Sequence, residues 1–127
     1  MEYDYCHVKI MKAVLETAKV PGLITFQPVL PYCKEKTTEY EKSVLNYLIN
    51  EEKTNWIEES NEVWPRVGKI IGDLPDSNLV KTRDISCALK DYAETAYIDS
   101  IHATPGGYEV TAKAIADIIK KDFVWLR

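Results

Sequence analysis

Pro21-Gly22-Leu23-Ile24-Thr25-Phe26-Gln27-Pro28 is the stretch from which the fold is read. Leu23 to Phe26 is a short apolar run rich in β-formers, bounded by turn residues on both sides. A run of that length between such breakers predicts a buried strand. Working back from it, Asp4 to Lys19 predicts a helix. Val8, Met11, Val14, Leu15 and Ala18 fall there on one stripe at helical spacing, and Pro21-Gly22 stops it. Working forward, Val29 to Lys36 reads as loop, with Pro28 and Pro31 breaking any regular pattern.

The second helix is expected near Thr37 or Thr38. Thr38 followed by Glu41 is a capping box, and Tyr40, Val44, Tyr47 and Leu48 supply an apolar face. Glu51 to Glu59 is charged around Trp56 and Ile57, and either continues that helix or breaks it. Val63, Val67, Ile70 and Ile71 mark another helix, ended at Gly72. Gly72-Asp73-Leu74-Pro75-Asp76-Ser77 is rich in turn residues. Leu79 to Thr82 is a second, weaker strand candidate, and Asp84 to Ala93 reads as loop or short helix. Thr104 suits an N-cap and Pro105 the first helical position. The last helix carries Tyr108, Ala112, Ile115 and Ile119 on one stripe. Phe123, Val124 and Trp125 are expected against the core or an interface. The order helix, strand, helices, strand, helix predicts a single α/β domain over residues 1–127, with few parallel strands flanked by helices.

Composition narrows the function classes. Charged residues make up 28% and hydrophobic residues 46% of 127, as in a globular protein in water. The net charge of -4 is spread in both signs, unlike the basic stripe of a nucleic-acid binder. No apolar run approaches the ~18 residues that cross a bilayer. The start, Met1-Glu2-Tyr3-Asp4, lacks the basic and apolar regions of a signal peptide, which points to the cytoplasm. Cys6, Cys33 and Cys87 are odd in number and without a CxxC spacing, so they read as buried free thiols rather than a disulfide framework or zinc site. Cys6 and His7 are neighbours on a helix and point about 100° apart, which argues against a thiolate pair. Glu51, Glu52, Glu58, Glu59 and Glu62 read as a solvated face, and no metal site or cofactor is expected. Trp56, Trp64 and Trp125 read as core or interface anchors.

Chemistry concentrates in Tyr97-Ile98-Asp99-Ser100-Ile101-His102-Ala103-Thr104-Pro105-Gly106-Gly107-Tyr108. An acid three residues before a histidine, ahead of a well-marked helix, suits a general base and its orienting carboxylate. In an arbitrary sequence the same spacing is a loop salt bridge. Gly106-Gly107 has no phosphate-loop context, and is expected to let the backbone pass closely beneath His102. The chain offers no convincing nucleophile. Ser77 in the Gly72–Ser77 loop is displaced from a Gly-Asp-Ser run.

Asp99, His102, Thr104, Gly107, Tyr108, Ala112 and Ile115 resemble the closing motif of SGNH (GDSL-type) hydrolases. Ala18 to Pro28 resembles the helix and strand before that family's mobile insertion, and Asn78 to Ser86 its final strand. The resemblance covers nearly all of this chain but only the C-terminal half of a family domain. It implies a partial flavodoxin-like fold and a serine esterase or acyl (acetyl) hydrolase, acting on an ester or acylated small molecule or carbohydrate. In that role His102 is the base and Asp99 its orienter. The family's Gly-Asp-Ser block and its oxyanion glycine and Gly-x-Asn-Asp loop do not occur here. The resemblance therefore implies either a homo-oligomer or a separate N-terminal half as partner, and an isolated chain without activity. A non-catalytic remnant or interaction domain of the same fold is the alternative.

Overall fold

The computed structural model describes residues 2–124, with side chains from residue 6 onward. The expectation for Trp125 lies outside the described residues. The elements are α1 (Glu2–Thr17), β1 (Gly22–Phe26), α2 (Glu39–Asn50), α3 (Trp56–Asp73), β2 (Val80–Asp84) and α4 (Pro105–Asp122). β1 and β2 pair in parallel, with Gly22 opposite Val80 and Phe26 opposite Asp84. Mixed helix and strand with a parallel pair is a small α/β arrangement.

Alternation along the strands sorts the layers. Ile24 and Phe26 of β1 join Val67, Val8, Ile71 and Leu74, which places α1 and α3 on one face. Thr82 lies on that face too, its hydroxyl donating to the Leu74 carbonyl at 3.2 Å. On the opposite face Leu23 lines an open apolar cavity together with Ile119 and Phe123 at the end of α4. Arg83 ties β2 to the same helix. Its Nε donates to Asp122 at 2.8 Å, and two further N–H groups grip the Asp76 carboxylate at 2.8 Å each. These Arg83 hydrogen bonds hold the Asp76 carboxyl below the ordinary carboxylate range, against the opposing pull of desolvation. A second core, built of Leu30, Leu89, Ala96 and Tyr97, sits beyond the carboxyl ends of the strands and receives Val44, Leu45 and Val110.

The element starts follow from local chemistry. Thr38 caps α2, its hydroxyl accepting from the Glu41 amide while Glu41 accepts from the Thr38 amide at 2.8 Å. Thr104 caps α4 by accepting from the Gly107 amide at 3.2 Å. The undecided Glu51–Glu59 stretch breaks after Asn50 and resumes as helix at Trp56, with Lys53 in the left-handed region at φ 51°. α1 ends sooner than expected. Lys19 turns left-handed at φ 57°, and the Val20 amide donates back to the Leu15 carbonyl at 2.9 Å. The second strand begins one residue later and runs two residues further than its apolar run.

Three helix faces differ from their apolar stripes. On α1, Met11 and Val14 are exposed while Val8 and Leu15 turn inward. On α2, Tyr40 and Tyr47 are exposed, and Glu41, wholly buried, joins Val44, Leu45 and Leu48 on the inner side. On α4, Tyr108, Ala112 and Ile119 are exposed, and Gly107, Val110, Ala114 and Ile118 face in. The cause is shared. The sheet has two strands among the described residues, so there is not enough surface to cover every apolar stripe, and each helix settles on what its loops allow.

The cysteine reading is also corrected. Cys33 and Cys87 form a disulfide across 54 positions of sequence, and Cys6 is an exposed free thiol on α1. The bridge joins the loop that leaves β1 to the turn that leaves β2. Trp56 and Trp64 pack at a tilt of 59° with 5.8 Å between ring centres, and Trp64 lies 5.9 Å from Phe26. The Trp56 indole also donates to the Leu30 carbonyl. Among the described residues no helix is long and apolar enough to cross a membrane.

Candidate functional site

Asp99 and His102 sit on a tight excursion from the second core. Tyr97 and Ala103 form an antiparallel bridge at its base. The Ile98 amide donates to the His102 carbonyl at 2.7 Å, and the Thr104 amide to the Ala96 carbonyl at 2.8 Å. The rim is held from outside by the Leu30 amide, which donates to the Ser100 carbonyl at 2.9 Å, and by the Tyr40 hydroxyl, which donates to the Ile98 carbonyl at 2.8 Å. The loop thus closes like a miniature hairpin with the acid and the imidazole at its tip.

Inside the tip the spacing does what an Asx turn does. Asp99 Oδ1 accepts the amides of Ile101 at 2.9 Å and His102 at 2.7 Å. That leaves Oδ2 directed at His102 Nδ1, 2.7 Å away. Desolvation pushes the Asp99 carboxyl up. The His102 and Ile101 amides and the His102 ring outweigh it and hold the carboxyl below the ordinary range. An ionised carboxylate accepts only, so Nδ1 is the donor toward Asp99, and in a neutral ring that arrangement leaves the lone pair on Nε2. The side chains are 51% and 66% exposed, so an external hydroxyl has access to the ring.

His102 also lines a cavity of about 150 Å³ with Gln27, Pro28, Ile101 and Tyr108. Gln27 and Pro28 directly follow β1, so the pair stands at the carboxyl ends of the parallel strands, where open α/β sheets build their sites. Among the described residues Thr111 contributes the cavity's one aliphatic hydroxyl, which donates to the Gly107 carbonyl at 2.9 Å, and no serine or cysteine lines the cavity.

The other sequence candidates are elsewhere. Ser77 precedes β2, at the opposite end of the sheet from His102, and bonds with the Val80 backbone. Cys6 and His7 are exposed on α1. No group of three or more metal-ligating side chains occurs among the described residues. Gly107 does not run beneath His102. A Cβ there would meet the Ala96 carbonyl oxygen at 2.4 Å, so the glycine lets the start of α4 press against the base of the loop.

Tyr108, which belongs both to the closing motif and to the apolar stripe of the last helix, lines the cavity. Gln27 lines it as well, and in the sequence it marks only the end of the first strand. Comparison of the chain with family models, with curated proteins and with solved structures finds no match.

Proposed function

We propose that His102 is the base and Asp99 its orienting carboxylate in an SGNH-type ester hydrolase, within a partial flavodoxin-like fold, and that its attacking serine comes from outside these 127 residues. The observation that carries the reading is the 2.7 Å contact from Asp99 Oδ2 to His102 Nδ1 at the carboxyl end of parallel strands, with Nε2 left as the basic nitrogen. In the proposed reaction Nε2 takes the serine proton as the serine oxygen bonds to the acyl carbon. Collapse of the adduct breaks the ester C–O bond, and the imidazolium returns the proton to the leaving alkoxide. Water repeats the sequence and releases the acid. Such proton transfer contributes on the order of 10²–10⁴ in rate, and it acts on a nucleophile rather than replacing one. The substrate class is an ester or acylated small molecule or carbohydrate.

The test is hydrolysis of p-nitrophenyl acetate by the chain and by His102→Ala. The chain alone is expected to show no turnover above the variant. Turnover that disappears in His102→Ala contradicts the reading, because it requires a nucleophile within the chain.

The same reading requires company. β1 has one unpaired edge among the described residues, and exposed apolar side chains lie on α1 at Ile10 and Val14 and on α4 at Ile119. An open edge of this kind favours pairing with another strand. We propose a homo-oligomer or a complex with a separate N-terminal half. Light scattering at micromolar concentration is expected to give a mass above that of one chain when no such half is present. A stable monomer there removes the homo-oligomer and leaves the second form.

The Cys33–Cys87 disulfide supports an oxidising compartment over the cytoplasmic one. A second functional reading, a non-catalytic domain of the same fold, is favoured by a cavity lining that holds no serine or cysteine among the described residues. A Ser-bearing half that restores His102-dependent hydrolysis decides against it.

A further inference from the structure

We infer that the buried pair Lys34 and Glu41 is the positioning element of the Asp99–His102 loop, an inference that rests on reading His102 as the base. Both side chains are wholly shielded from water, with 3.4 Å between Lys34 Nζ and Glu41 Oε2. The two form an ion pair, and their hydrogen bonds go to other groups. Glu41 Oε1 accepts the Ala96 amide at 2.8 Å, and Oε2 accepts the Thr38 amide at 2.8 Å. Lys34 Nζ donates to the carbonyls of Lys36 at 2.6 Å, Tyr92 at 2.7 Å and Glu94 at 3.2 Å.

The two charges therefore hold residues 92–96, a strap without helix or strand of its own. Buried backbone groups need partners, and here side chains supply them. The strap continues directly into the loop. Ala96 receives the Thr104 amide through its carbonyl while its own amide is fixed on Glu41, so Glu41 sits one residue behind the Tyr97–Ala103 bridge. α2 and its cap hold the loop and the strap at two further points. Tyr40, beside Glu41, holds the Ile98 carbonyl, and the Thr38 hydroxyl lies 3.0 Å from that of Thr95. A buried ion pair adds little to stability compared with apolar packing. What this pair adds is a fixed path for the strap, and with it the height and angle at which Asp99 meets His102.

The prediction is read from the ring nitrogens of His102 by ¹⁵N NMR in Glu41→Gln and Lys34→Met. In both, the His102 nitrogens are expected to lose their distinct protonated and unprotonated signals and move toward a tautomer average. His7 and the β1 amides stay in place. Ile71→Ala, in the other core cluster, serves as an equally destabilised control and leaves the His102 ring unchanged. A folded Glu41→Gln chain with an unaltered His102 ring overturns the inference, as does the same ring change in Ile71→Ala. If neither variant folds, hydrogen exchange in the unaltered chain decides. The Thr38, Ala96, Ile98 and Thr104 amides are expected to open together, and separate opening of Thr38 and Ala96 overturns the inference. A ring that responds as expected in a protein that a Ser-bearing half leaves inactive sinks the hydrolase reading and leaves this one standing.

Discussion

Lys34→Met is expected to lower folding stability by ~3–5 kcal/mol, because breaking a buried pair leaves an uncompensated charge behind. The Glu41 carboxylate has no exposure through which water could replace the ammonium. The carbonyls of Tyr92 and Glu94 lose the donor that Lys34 brings them. The size of the loss matters because a domain of this kind has only ~5–15 kcal/mol in all. Replacing both partners, Lys34→Met with Glu41→Leu, is expected to recover part of the loss by removing the stranded charge. It does not recover all of it, since the Ala96 and Thr38 amides are then orphaned at ~1–3 kcal/mol each. Urea unfolding followed by circular dichroism measures all three chains. A Lys34→Met loss under ~1 kcal/mol would mean that water reaches Glu41 and that the pair is not sealed.

Reducing the Cys33–Cys87 bridge is expected to cost about 4 kcal/mol, the chain-entropy value for a loop of 54 positions. The bridge ties the exits of β1 and β2, so its loss frees the loop carrying Lys34, which follows Cys33 directly. The comparison is urea unfolding of the oxidised chain with and without a thiol reductant, and of the Cys33→Ser, Cys87→Ser double variant. The reduced chain and the variant are expected to agree, and equal midpoints for oxidised and reduced protein contradict the account. The compartment can be read from the same residues. Thiol blocking in the native cells followed by mass spectrometry is expected to leave Cys33 and Cys87 unlabelled and to label Cys6. Labelling of all three returns the protein to a reducing compartment.

What was legible in the sequence was local. The Thr38–Glu41 box and the Thr104 cap are contacts within one turn, and their spacing in the chain is their spacing in space. The Asp99–His102 contact is legible for the same reason, since the intervening amides fold back on the carboxylate that precedes them. The strand at Leu23 to Phe26 announced itself by its breakers. What stayed hidden depended on distance. Cys33 finds Cys87 only once β1 and β2 lie side by side, and an odd count of cysteines gave no cue. Glu41 reads as a capping residue, and nothing local says that its other oxygen is meant for Ala96, 55 positions away. The apolar stripes of α1, α2 and α4 were correct as periodic patterns but misleading as statements of burial. Periodicity shows which residues share a face, and the neighbours decide whether that face is covered.

The central claim is that Asp99 fixes His102 as a base with Nε2 ready to accept a proton, and ¹⁵N NMR of the two imidazoles at about pH 9, where an ordinary imidazole is neutral, tests it most directly. The account predicts a protonated Nδ1 and an unprotonated Nε2 in His102, a preference that Asp99→Asn removes. A His102 ring protonated on Nε2, or averaging freely between tautomers in the unaltered chain, would contradict it.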